Sequence, residues 1–235
     1  MIGEHIMGKA TRHGMPGAFR DFLGKNYTWL GTTVTLVMWG SMAYYTVLTT
    51  WTLYYFGLAL TRGYYGQDKE AIYNSMVDHN VAVVCIFLAL ILLACIITYK
   101  GIRAIESISK IFLPILLVCL LIIAVRSLTL PGAINGLNFL FEFKPAELAD
   151  PKTWLEALTQ AIWSAGPGWG LCVTLAIFTK KKADASLTTT LQLSGDGMVA
   201  MIAGLAVIPA IFALTPDISA AKELVGQGNY GLTYI

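Results

Sequence analysis

Five stretches of this 235-residue chain are long and apolar enough to be read as bilayer spans, and that constrains the fold more than any other feature. A span needs roughly 20 mostly apolar residues. The stretches run over about 29–60, 81–99, 111–125, 155–178 and 187–214. The third is short and lengthens if Arg126 snorkels to the interface. Hydrocarbon offers no partner for backbone N–H and C=O groups, so each stretch is expected to be a helix. The expected fold class is all-α integral membrane, one domain over 1–235, with an arm at 1–28 and a tail at 215–235. Composition agrees: 56% of residues are hydrophobic and 13% charged, against about a quarter charged in soluble domains. A net charge of +2, with no basic run interleaved with aromatics, excludes nucleic acid as a partner. Cys85, Cys95, Cys119 and Cys172 all lie in apolar stretches without metal-ligand spacing, and read as small buried hydrophobes. No apolar core in 1–25 is long enough for a signal peptide.

Charge sets the expected orientation. The arm (Lys9, Arg12, Arg20, Lys25), the third connector (Lys100, Arg103, Lys110) and the fifth (Lys180, Lys181, Lys182) hold ten basic residues. The alternate connectors and tail hold six: Arg62, Lys69, Arg126, Lys144, Lys152 and Lys222. The ten-side is expected to face the cytoplasm, placing the amino terminus there and the tail outside. One formal charge lies in a span core, Asp196 of the fifth stretch. Ionisable groups at that depth are costly and usually line an ion or substrate path. The other reading is a protonated acid capping a kink.

The fourth stretch reads Gln160-Ala-Ile-Trp163-Ser164-Ala-Gly166-Pro167-Gly168-Trp169-Gly170. Proline removes a helix donor and clashes with the preceding turn, and glycine lowers helix propensity further. A broken helix is therefore expected within 155–178. Unwound backbone survives in a bilayer only where protein or a water-filled cavity covers it, and transporters build ion and substrate sites from it. A proline kink used only for packing is the alternative.

Several segments, in order, resemble the neurotransmitter:sodium symporter family, which has the LeuT-type inverted-repeat fold. Gly3-Glu4-His-Ile-Met-Gly8-Lys9 is similar to the cytoplasmic end of family helix 2, and Met38 to Trp51 to family helix 3. Lys100 to Lys110 is similar to the loop between helices 4 and 5, and Val125 to Ala133 to the outer end of helix 5. Gln160 to Gly170 resembles the broken helix 6, and Asp184 to Ala213 resembles helix 7. The resemblance implies a partial LeuT-type fold of about five transmembrane helices. It would begin inside helix 2 and stop before helix 8, leaving those other helices as partners outside the chain.

By that resemblance, Tyr45 falls at the helix-3 tyrosine that contacts a substrate carboxylate and helps close an outer gate; helix packing is its plainer role. Trp163 falls at the helix-6 aromatic that meets this tyrosine. Ser164 falls at a hydroxyl that coordinates sodium, although a membrane serine more often bonds its own backbone. Gly166 and Gly168 fall in the unwound segment shaping the substrate pocket, and Gln160 at a glutamine of the gate and ion region. Asp196 falls near a helix-7 sodium ligand that is usually asparagine. An acid there resembles chloride-independent prokaryotic members, in which a carboxylate replaces the chloride charge. The short connector 62–78, with no cysteine and no N-x-S/T site, fits a prokaryotic inner membrane.

The expected function is part of a sodium-coupled symporter for an amino acid or related small amine, with sodium as the coupling ion and chloride not required. The chain alone is expected not to transport. The alternative is a non-transporting truncated membrane protein or assembly partner. An enzyme is not expected: His5, His13 and His79 lie outside the span cores, and Asp196 has no nucleophile or metal cluster beside it.

Overall fold

The computed structural model describes residues 1–63, 66, 69–77, 80–180, 182–215 and 217–227. Among them every regular element is helical. The chain falls into two compact units, Met1–Trp39 with Leu116–Pro216, and Gly40–Ile115 with Asp217–Ile235.

The first unit begins with α1 (Ile2–Thr11) and α2 (Met15–Leu23), so the arm is itself largely helical. α3 (Thr28–Thr61) starts in this unit and continues into the other. The end of α6 (Ile102–Leu128), then α7 (Ala133–Leu140), α8 (Pro151–Ala165), α9 (Leu171–Ala176) and α10 (Ala185–Leu214) complete it. Helix starts follow local chemistry. Asp150 accepts from the Lys152 N–H at 2.9 Å with Pro151 in the first turn, and Asp184 accepts from Ser186 and Leu187 at 2.8 and 3.2 Å. Met15, Ala18 and Val173 form a small core joining α2 to α9, with Met7, Phe19 and Val34 packed against it. At another place α7 lies on α10. Gly136 leaves room for the backbone of Pro209, and the rings of Phe139 and Phe212 stand 5.2 Å apart.

The second unit holds the rest of α3, then α4 (Lys69–Val77), α5 (Val81–Tyr99), the start of α6, and α11 (Ile218–Gln227). Asn80 caps α5 by accepting from Ala82 N–H at 3.0 Å, and its amide donates to the Tyr54 hydroxyl at 3.1 Å. Trp51 meets Tyr73 edge to face at 6.3 Å.

Among the described residues, three helices are long and apolar enough to cross a membrane: α5, α6 and α10. Residues buried inside the protein make up 0%, 6% and 17% of their apolar windows, so most of their surface is left to lipid or to further helices. The third expected span, 111–125, is part of the longer α6, which runs on through Pro114. α3 has 34 residues, about 51 Å of helix against a core of about 30 Å, but threonine, tyrosine and tryptophan dilute its hydropathy. The fourth expected span is two helices, α8 and α9, neither long enough alone. The expected connector at 126–154 contains α7 and a 3₁₀ turn at Pro145–Ala149. In the tail, α11 precedes 228–235, which lie outside the described residues; so do Lys181 and His79.

Candidate ion site at a broken helix

The sequence Ala165-Gly166-Pro167-Gly168-Trp169-Gly170 ends one helix and starts another. Gly166 takes φ 68° and its N–H caps Ile162 O at 2.9 Å; Gly168 and Gly170 take φ 83° and 77°. A side chain is strained in that left-handed region, and glycine is not. At Gly170 there is also no room for a Cβ, which would lie 2.6 Å from Met15 Cγ. The glycines therefore set the break, and Pro167 prevents the helix from re-forming through it.

Two expected site residues meet beside the break. Ser164, on the last turn of α8, donates its hydroxyl to the Asp196 carboxylate, with Oγ 2.8 Å from Oδ1 and 2.9 Å from Oδ2. A hydroxyl has one proton, so this is one bond shared over both oxygens, and the serine lone pairs remain available. The plainer role considered for Ser164, a bond to its own helix, is not the one it takes. None of the ion pairs among the described residues includes Asp196. The carboxylate also sits at the carbonyl end of α8, where the helix dipole is negative. An acid beside a negative helix end, with the Ser164 hydroxyl oxygen against it, is an arrangement that a small cation would relieve.

Gln160 lies one helical turn before Ser164 on α8. Trp163 packs edge to face on Trp169 at 5.2 Å, bracketing Gly166 and Gly168. Sequence reasoning passed over Trp169; its signal was an aromatic inside a glycine-rich break. It also missed Glu4, which reaches from α1 to accept the Gly168 N–H at 3.1 Å. An acid one helical turn before Gly8, in the segment similar to a helix end, was the clue. Next to it, buried His5 lies 3.4 Å from the Gln192 side-chain oxygen on α10, and Gln192 also contacts Cys172 Sγ. A hollow of about 530 Å³ opens beside the break, lined by Ile162, Ala165, Pro167, Thr189 and Leu193.

Tyr45 belongs to the second unit. It lines a groove of about 320 Å³ between α3 and α5 with Thr46, Thr49, Ala94, Cys95 and Thr98, and is 47% exposed. Its own hydroxyl is not the group that Thr49 engages; Thr49 donates to the Tyr45 backbone carbonyl at 2.8 Å.

Comparison with known proteins fits this geometry. The profile of the Sodium:neurotransmitter symporter family matches residues 64–235. An uncharacterized sodium-dependent transporter of Methanocaldococcus jannaschii is 27% identical over 219 residues, covering 88% of this chain and 44% of its own length. The sodium- and chloride-dependent transporter XTRP3 of Homo sapiens is 28% identical over 212 residues, covering 75% of this chain and 35% of that protein. Among solved structures, that of MhsT in complex with L-phenylalanine superposes with a TM-score of 0.79 at 26% identity, over 91% of this chain and 49% of that one. The chain thus spans about half the length, or less, of these relatives. Helices without strands among the described residues, a break in the middle of one of them and a profile match over most of the chain lead to one assignment: this multi-pass membrane protein belongs to the sodium:neurotransmitter symporter family.

Proposed function

We propose that this chain carries half of the ion and substrate site of a sodium-coupled symporter for an amino acid or related small amine. The observation that carries the reading is the Ser164–Asp196 contact at the end of α8. Sodium is a hard cation that takes oxygen ligands. The serine oxygen, the carboxylate and the carbonyls freed at a helix end supply them without any soft donor. Its fixed negative charge lets Asp196 offset the ion, so chloride is not required. Gly166 and Gly168 leave space at the break for a substrate's polar end, with Trp163 supplying an aromatic wall and Gln160 tuning the ion region; Tyr45 is taken as a substrate-contacting residue on the family resemblance alone. MhsT, solved with L-phenylalanine, supports an amino acid as the substrate class.

The remaining ligands come from segments that the relatives have and this chain does not span, so the chain alone does not transport. The amino terminus and the lysines around 180–182 face the cytoplasm of a prokaryotic cell, and 145–152 faces outward. An impermeant thiol reagent applied from outside should label a cysteine placed in 145–152 and spare one at Lys182; the reverse would overturn the orientation. The function is tested in proteoliposomes with an imposed sodium gradient. The chain alone should accumulate nothing. Co-reconstituted with the complementary segments of a relative, it should accumulate an amino acid or amine only when the gradient is present. Accumulation indifferent to sodium in the complemented sample would overturn the reading.

A further inference from the structure

We infer that α2 and the turn after it form a membrane-surface anchor for anionic phospholipid, with Phe22 and Leu23 entering the boundary between headgroups and acyl chains and Lys25 meeting the phosphate. The segment begins and ends on the protein core. Met15 and Ala18 are buried with Val173, and Phe19 packs beside them. Gly31 of α3 then returns so close that a Cβ there would lie 2.4 Å from the Met15 carbonyl oxygen. Between these two points the chain leaves the core. Met15, Ala18, Phe19 and Phe22 fall at i, i+3, i+4 and i+7, so they make one apolar stripe along α2, and Leu23 lies one turn after Phe19. The described residues cover only the first half of that stripe. Met15 and Ala18 are 7% and 0% exposed, whereas Phe22 and Leu23 are 53% and 51% exposed.

The neighbours of the second half indicate what covers it. Tyr27 and Trp29, both exposed, follow at the start of α3. Tryptophan and tyrosine beside exposed phenylalanine and leucine, with bases close by, are the mark of a segment lying in a membrane interface. The charges select the headgroup. Asp21 is the one acid in 12–29. It accepts from Arg20 at 2.9 Å and lies 2.7 Å from His13 Nδ1, on the face of α2 turned away from the stripe. The exposed Lys25 belongs to none of the ion pairs among the described residues. The charge left open next to Phe22 and Leu23 is therefore positive. A lipid phosphate with no cation in its own headgroup complements it, and a zwitterionic lipid does not. The anchor stands apart from the ion site and does not depend on the sodium reading.

Lipids brominated on the acyl chain test it, because bromine quenches a fluorophore only at close range. The 235-residue chain, with Cys85, Cys95 and Cys119 replaced by serine and Cys172 by alanine, carries a fluorophore at Leu23→Cys or, on the opposite face of α2, at Arg20→Cys. It is reconstituted in phosphatidylcholine vesicles with a minor fraction of brominated phosphatidylcholine or brominated phosphatidylglycerol. The lipid lies in both leaflets, so the result is independent of the chain's orientation. Brominated phosphatidylcholine should quench the label at 23 and largely spare the label at 20. At 23 the brominated phosphatidylglycerol should quench as though enriched about fivefold, the worth of one lysine at an anionic surface. Lys25→Gln should make the two lipids equal, and Lys25→Arg should keep them apart. A label at 23 as little quenched as the label at 20 would overturn the inference, since water or another protein segment then covers the stripe. Equal quenching by the two lipids at 23, or a preference that survives Lys25→Gln, would overturn it as well.

Discussion

Two segments of the first unit carry glycine and proline in mid-helix, and they behave in opposite ways. Between α8 and α9 the run Gly166-Pro167-Gly168-Trp169-Gly170 unwinds, with three glycines at positive φ. In α10, Gly195, Gly197, Gly204 and Pro209 are all absorbed into 30 residues of continuous helix. α6 likewise runs through Pro114. A proline alone removes one donor, which a packed helix tolerates. In α10 the loss is covered by packing, because Pro209 is fully buried against α7 at Gly136. What breaks a helix here is glycine committed to a left-handed backbone, held there by neighbours. The break and the continuous helix then meet, Ser164 from one and Asp196 from the other.

Substitutions should sharpen this contrast. The largest effect is expected for Gly170→Ala. A side chain at φ 77° costs about 1–2 kcal/mol, and the clash with Met15 adds about 1–3 kcal/mol. Gly195→Ala or Gly197→Ala should instead be neutral or stabilising by about 0.5–1 kcal/mol, since both are helical with nothing within 4 Å of a new Cβ. Thermal unfolding in detergent compares them; equal losses at Gly170 and Gly195 would end the distinction. Next in size, Gly136→Ala should cost about 1–3 kcal/mol by pushing α7 off Pro209. Pro167→Ala should cost less than about 1 kcal/mol, because the glycines keep the break open. Tryptophan fluorescence from the Trp163–Trp169 pair should report an unchanged environment in that variant. A large change there would return the break to the proline.

The smallest effect concerns the arm, far along the sequence from the break. Arg20 donates to Asp21 at 2.9 Å and His13 Nδ1 lies 2.7 Å from it, and chiefly the Arg20 bond holds the exposed Asp21 carboxyl below its ordinary value of 3.8. A depressed folded pKa means that the contribution is fully present above the unfolded value and is lost as pH falls through the folded one. Asp21→Asn should therefore lower the melting temperature slightly at neutral pH and leave it unchanged at the acid end, where the carboxyl is already protonated, so that the acid side of melting temperature against pH becomes flatter.

Much of this was legible in the sequence because the relevant signals are local. Apolar length located α5 and α10 within a few residues, and the glycine-proline cluster located the break. The lone acid Asp196 drew attention to its position, and the family resemblance put it with Ser164 at a sodium ligand set. What was not legible depends on packing between segments distant in the chain. The arm's start, 3–9, is similar to a helix end and lies in α1, but α2 and the fit of Gly8 and Met15 against the broken segment had no local signal. Glu4 reaching Gly168 spans 164 positions and has no periodicity to announce it. The third stretch looked short because Arg103, Glu106 and Lys110 interrupt its hydropathy without interrupting its helix; Glu106 and Lys110 pair at 3.3 Å one turn apart.

The central claim is that the Ser164–Asp196 contact is a sodium site whose carboxylate supplies the charge. The most direct measurement is uptake against sodium concentration in the complemented transporter, comparing Asp196 with Asp196→Asn, in chloride and in gluconate. The substitution keeps the shape and one oxygen ligand and removes the charge. The expected result is weaker apparent sodium affinity in gluconate, recovered in part when chloride is supplied. Curves for Asp196→Asn that coincide with the parent's in both anions would contradict the assignment.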